Sequence, residues 1–349
     1  MKPKTAFLSE VAIIRPILIF LLVFYHAFAI YSEAWAPIKG YPEVLAYWWL
    51  DKLSYAFMLE MFVFISGYVF GFQVRTKGNE KLNAKNLLWG KFKRLMVPCM
   101  VFSLLYILLF GHIAQPVQKT LYGLLNGVGH MWFLPMLFWC FVGVWVIEKL
   151  RLKAKWIIPV LVLCSVCSFL PLPLRMGTAM YYMLFFYLGY IIEKEDISLD
   201  RFYTLKHCII LIIAFCILFP TLTLLREKIC SLNGVDNQLV TKIAIVSLSS
   251  LMKIIYSSIG LAMLFIIIGY KEKNRKTPLS QWIIKIGNLC FGVYLLQQFI
   301  LRGLYNYTNL PRILGCYWLP WVGFVVALAG SIIITELLIK TKVGKFLIG

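Results

Sequence analysis

The sequence predicts an all-α protein, a polytopic transmembrane helical bundle of about ten spans with both termini in the cytoplasm. Three observations predict it. Of 349 residues, 61% are hydrophobic, and the mean hydropathy is +0.81; soluble domains run nearer half apolar. The apolar stretches are unbroken rather than alternating, which argues against the period-two pattern of an outer-membrane barrel. Lysine and arginine gather in alternate connecting segments, as the positive-inside rule requires.

The first span, 11–31, follows a head carrying Lys2 and Lys4. It is long enough to cross a bilayer, so it reads as a retained span and not a cleavable signal. Further spans are expected at 53–72, 95–112, 131–148, 156–170, 179–192, 207–225, 243–270, 282–305 and 318–339. Those at 156–170 and 179–192 are short, with Pro171, Pro173 and Gly177 supplying a turn between them. With the N-terminus inside, 23 of the 35 basic residues fall in inner segments and 9 in outer ones. Arg15, Lys253 and Lys285 lie within spans, while Arg302, at the outer end of the span 282–305, is counted with the outer residues. The widest inner loop, 73–94, is too short for a soluble domain. Residues 1–349 therefore read as a single integral membrane domain, with its chemistry in or at the edge of the bundle.

The net charge is +20. In a soluble chain that would suggest nucleic acid. Here it marks cytoplasmic loops facing an anionic leaflet or ligand, so the bilayer is an expected partner and nucleic acid is not. Cys164 and Cys167 share a helix face inside a span and read as small packing residues rather than a metal pair. No metal is expected. Cys230 and Cys316 fall in expected outer loops, where a disulfide between them is open.

The costly residues are the polar ones inside spans. In "RPILIFLLVFYH", Arg15 and His26 lie roughly 16 Å apart along a helix at 1.5 Å per residue. Eleven steps of 100° return to within about 20° of the same face. Arg15 sits near the inner edge, where it either snorkels or guides a ligand. His26 lies deeper, as a neutral hydrogen-bonded histidine or as a general base or acyl carrier. Pro16 is expected to start or kink the helix.

Glu60, in "MLEMFVFISGYVFG", is an intramembrane carboxylate that needs a partner; His26 and Arg15 are candidates. Ser66, Gly67 and Gly71 suit close helix packing. In "WGKFKRLMVP", Lys91 and Arg94 stand i, i+3 at the inner mouth of the third span. They are either an ordinary positive-inside cluster or a clamp for an anionic cytosolic ligand such as a nucleotide diphosphate. In "GHMWFLPML", His130 is a solvated loop residue or a site residue. Trp132 is an interfacial aromatic or part of a carbohydrate site.

Taken in order, these pieces resemble the acyltransferase-3 family of bacterial membrane O-acyltransferases. Arg15 and His26 match its Arg-x10-His in the first helix. Phe62-Val63-Phe64-Ile65-Ser66-Gly67-Tyr68 resembles its Phe-Phe-x-x-Ser-Gly-Phe. Lys91-Phe92-Lys93-Arg94 with Pro98 is similar to its Arg-x-x-Arg before a proline, with lysine for the first arginine. Trp132-Phe133-Leu134 matches its Trp-Phe-Leu. Gly287 to Gln297 resembles a late Gly-x-x-Ser-Phe-Gly-x-Tyr-Leu-Leu-His, with Gln297 where histidine is usual. Leu137 stands where the O-antigen branch has glutamate, so the chain is more similar to the branch acting on exopolysaccharides and cell-surface glycans.

The resemblance implies an enzyme of a bacterial inner membrane. It would move an acyl group, usually acetyl from acetyl-CoA, to a hydroxyl of a cell-surface or lipid-linked glycan. Lys91, Lys93 and Arg94 would hold the CoA phosphates. Arg15 would guide the thioester arm, and His26 would deprotonate the acceptor or carry the acyl group. Glu60, Ser66, His130 and Trp132 complete the candidate set, as substrate or structural residues. The competing expectation is a secondary transporter or glycan flippase, which buried charges in a ten-span bundle suit equally. No paired mid-membrane interruptions favour it.

Overall fold

A computed structural model describes residues 8–348 except 33, 79–81, 112–116, 169 and 232–238. The described residues form α-helices joined by short turns, with no strand among them. In chain order the helices are α1 (Ser9–Phe28), α2 (Leu45–Tyr55), α3 (Met58–Lys77), α4 (Ala84–Lys91), α5 (Val97–Phe110), α6 (Val117–Asn126) and α7 (Phe133–Lys149). There follow α8 (Ala154–Val166), α9 (Met176–Lys194), α10 (Leu205–Ser231), α11 (Leu239–Lys273), α12 (Gln281–Tyr307), α13 (Leu310–Ile339) and α14 (Lys342–Ile348). Eight helical segments among the described residues are long and apolar enough to cross a membrane: Ser9–Tyr31, Leu45–Lys77, Ala84–Phe110, Gly129–Lys149, Leu205–Ser231, Thr241–Lys273, Gln281–Tyr307 and Leu310–Ile339. The 13-residue α8 and 19-residue α9 occupy the two short stretches expected at 156–170 and 179–192.

Two boundaries differ from expectation. The second span is divided between α2 and α3, with a bend at Ala56 and Phe57; both residues are apolar, so nothing in the composition marks the break. The basic loop 73–94 is largely helical. Helix α3 runs on to Lys77, and α4 begins where the Asn83 side chain accepts the Lys85 N–H at 3.1 Å. That side-chain cap satisfies one of the amides a helix start leaves open.

The chain forms two compact units. The first comprises Met1–Glu10 and Leu59–Arg275. Its α3 and α9 meet at glycine. A Cβ at Gly67 would run into the Phe186 carbonyl, one at Gly71 into that of Tyr190, and one at Gly189 into that of Phe64. Small residues let membrane helices approach backbone to backbone, which is where their dispersion energy comes from. At the end of this pair Arg75 is ion-paired to Glu193 and Asp196, and Lys194 Nζ lies 2.8 Å from Glu148 Oε1. Helices α10 and α11 pack along one another.

The second unit comprises Val11–Met58 and Lys276–Gly349. Within it α12 packs on α13, where Gly292 makes room for the Thr335 side chain. Pro16 lies inside α1 and does not start it, since the helix begins at Ser9. Having no N–H, Pro16 cannot bond the Ala12 carbonyl one turn back. That carbonyl faces Gly287 of α12, where even an added Cβ would be only 3.4 Å away. Further along, the Tyr305 hydroxyl of α12 donates to the Ala27 carbonyl at 2.8 Å. Contacts that rise together, 12 with 287 and 27 with 305, mean that α1 and α12 run in the same direction.

Candidate active site

Helix α1 is unbroken from Arg15 to His26, so the eleven-residue spacing acts as written. His26 addresses α12, where its Nδ1 lies 2.9 Å from Gln297 Nε2.

His26 is buried, with 6% of its surface exposed, and Gln297 is wholly buried. The imidazole ring lies 5.9 Å from the Trp35 ring at an interplanar angle of 23°. Trp35 is held just beyond α1 by its N–H, which donates to the Ala29 carbonyl at 3.0 Å. The Arg302 guanidinium lies 5.4 Å from the Trp35 ring centroid, and the Tyr305 ring 6.2 Å from it. The imidazole therefore meets an amide and an indole, and Arg302 and Tyr305 pack on that indole, all within the second unit. A neutral imidazole carries a proton on one ring nitrogen and a lone pair on the other, so it can accept a proton from a hydroxyl brought to it.

Gln297 and Trp35 were not singled out from the sequence as neighbours of His26, nor Tyr305 and Arg302 as neighbours of Trp35. One signal was present for Gln297. Gln297 and Gln298 stand together inside an apolar span, and buried amides there need partners. Asp51 is a second omission. Placed before the expected second span, it is instead a buried residue of α2, with its backbone carbonyl accepting the Ser54 hydroxyl at 2.8 Å.

The other candidates belong to the first unit. Glu60 is fully buried. Its Oε1 accepts the Tyr181 hydroxyl at 3.0 Å and lies 3.3 Å from Lys253 Nζ. His26 and Arg15 were the partners the sequence offered; the partners found are Tyr181 on α9 and Lys253 on α11. Ser66 returns its hydroxyl to the Phe62 carbonyl at 2.8 Å, so it is satisfied within its own helix. His130 is buried rather than a solvated loop residue, with its ring 6.4 Å from that of Tyr106. Trp132 packs on Phe133 and Tyr182, at 6.2 Å from each.

The basic cluster departs from its expected shape. Between α4 and α5, Phe92–Met96 forms a π turn. The cause is local. Pro98 has no N–H to give the Arg94 carbonyl, and the ladder slips so that the Val97 N–H bonds Phe92. The wider turn removes the i, i+3 stacking that α geometry would give Lys91 and Arg94. The Lys91 ammonium turns onto the Phe141 ring, 3.7 Å from its centroid, and lies 5.6 Å from that of Phe70. Lys93 and Arg94 are exposed, with Lys93 over the Trp89 ring at 4.9 Å.

All nine cysteines are free thiols, Cys230 and Cys316 included. Among the described residues no cluster of His, Cys, Asp and Glu has the makings of a metal site. A family model described as an acyltransferase domain, Acyl_transf_3, matches residues 9–340. No curated protein and no solved structure matches the chain.

Proposed function

The chain belongs to the acyltransferase-3 family, and from that premise we propose that it transfers an acetyl group from acetyl-CoA to a hydroxyl of a cell-surface or lipid-linked glycan, from a bacterial inner membrane. The membership makes it a multi-pass membrane acyltransferase; the donor, acceptor and membrane are the proposal. The observation that carries it is His26, buried in α1 and tied through Nδ1 to Gln297.

His26 is the general base in this reading. The acceptor O–H bond breaks and its proton passes to the imidazole. The oxygen adds to the thioester carbonyl, and as the C–S bond breaks the thiolate takes the proton back and leaves as free CoA. A positioned base contributes roughly 10²–10⁴-fold to such a step. Arg15 lies about 16 Å away along the same helix, a span the phosphopantetheine arm covers. A cation at that end would draw the CoA phosphates toward α1. Trp35, with Tyr305 against its ring, provides aromatic surface beside His26, suited to the apolar face of a sugar ring. Exposed Lys93 and Arg94 are a separate contribution, as holders of phosphate.

Mass spectrometry of surface glycans from cells with and without the protein tests the reading. The expected difference is one acetyl per modified residue, lost again in His26→Ala. Glycans identical in mass in both cells, together with no transfer of labelled acetyl from acetyl-CoA by purified protein, would overturn it.

A further inference from the structure

Gln297 presents an asymmetry. One end of its amide meets His26 Nδ1 at 2.9 Å, and the other, Oε1, is buried with no hydrogen-bond partner. A buried, unsatisfied polar atom costs about 1–3 kcal/mol. An apolar residue would avoid that cost inside an apolar helix.

The amide is close to two-fold about its last torsion, so a half-turn exchanges O and N in nearly the same volume. The two orientations demand different histidines. An amide N–H aimed at Nδ1 needs a lone pair there, which puts the ring proton on Nε2. An Oε1 aimed at Nδ1 needs Nδ1–H, which leaves the lone pair on Nε2. Only the second gives a base that reacts through Nε2. It also suits the imidazolium that follows, because that cation keeps Nδ1–H. In the first orientation the imidazolium would set N–H against N–H. The second orientation gives Oε1 a partner and moves the NH2 to the other side, so it is the imidazolium, not the count of partners, that chooses between the two.

We propose that Gln297 is the positioning residue of His26: its Oε1 accepts from Nδ1–H and fixes the tautomer whose Nε2 takes the acceptor's proton. Gln297 itself exchanges no proton. A neutral amide holds the ring without creating a buried charge, whereas a carboxylate there would favour the imidazolium. The catalytic role of this tautomer rests on the acyltransferase reading; the tautomer itself does not.

The experiment uses full-length protein with ¹⁵N-labelled histidine, the His26 signal being assigned by its loss in His26→Ala. Nitrogen shifts are read in the wild type, Gln297→Leu and Gln297→Glu, alongside pH profiles of acetyl transfer. The wild type is expected as neutral Nδ1–H at His26, and Gln297→Leu as a mixture of tautomers. That variant should lose on the order of 10–100-fold in kcat with KM little changed, the scale of losing an orienting partner. Gln297→Glu restores an acceptor and should keep most of kcat. Its acid limb should move to higher pH, because a carboxylate raises the pKa of the imidazole and the neutral base then appears later. A wild-type His26 carrying its proton on Nε2, unchanged in Gln297→Leu, would overturn the proposal. So would an active Gln297→Leu with the wild-type kcat and pH profile. If no variant transfers acetyl, the acyltransferase reading fails, and the nitrogen shifts still decide the tautomer.

Discussion

Each unit of the protein buries a polar cluster inside apolar helices, Glu60 in the first and His26 in the second, and the two solve the problem in opposite ways. In the first unit Glu60 is matched by Lys253 and the Tyr181 hydroxyl. A full negative charge is met by a full positive charge on another helix. In the second, His26 is met by a neutral amide and flanked by an indole. A buried ion pair resists change, since moving a proton on either member leaves the other charge alone. The first cluster ties α3 to α9 and α11, whereas the second joins α1 to α12 and, in the proposed function, is the one that reacts.

The largest expected effect separates the two. His26→Ala should lower acetyl transfer by about 10²–10⁴-fold and leave thermal unfolding in detergent close to wild type. The comparison breaks if His26→Ala unfolds the protein instead.

The complementary change is next in size. Lys253→Leu leaves Glu60 buried with its counter-charge gone, which costs about 3–5 kcal/mol for a desolvated pair. Glu60→Leu is expected to cost a similar amount, and the double variant less than either single one. Tyr181→Phe removes one hydrogen bond to a charged group, about 1.5–3 kcal/mol. Melting temperatures of the set, arranged as a double-mutant cycle, measure the coupling. Additive losses would show that Glu60 and Lys253 do not act as a pair.

How much of each cluster can be read in advance follows from where its partners come from. Arg15 and His26 are eleven residues apart on one helix, and helical periodicity is enough to put them on one face. The glycines of α3 are legible as packing residues for the same reason. Partners from distant helices are not. Gln297 is 271 residues from His26, and Tyr181 is 121 from Glu60. Apolar spans carry little pattern to say which neighbour they face, because lipid and protein interior select the same side chains. The break between α2 and α3 was silent for that reason. The π turn was different. Pro98 announces a missing donor, but which carbonyl loses its bond, and how far the ladder slips, depends on the helix register already in place.

The smallest expected effect divides residues that stand side by side in sequence. Lys91, the last residue of α4, rests on the Phe141 ring, while Arg94 is exposed in the π turn that follows. Lys91→Met should cost about 0.5–2 kcal/mol of stability, the worth of a cation–π contact, and leave KM for acetyl-CoA nearly unchanged. Arg94→Ala should leave the melting temperature alone and raise that KM by about 3–10-fold, a fraction of a charge-assisted hydrogen bond because the site is open to water. Ionic strength distinguishes the two mechanisms further. An exposed guanidinium holding phosphate is screened, so the difference between wild type and Arg94→Ala should shrink as salt rises past the point where the Debye length falls to roughly 8 Å. The Lys91 contribution, made against a ring at short range, should not. A KM effect of equal size at both positions would mean that the π turn leaves the two cations acting together, as an uninterrupted α-helix would have them.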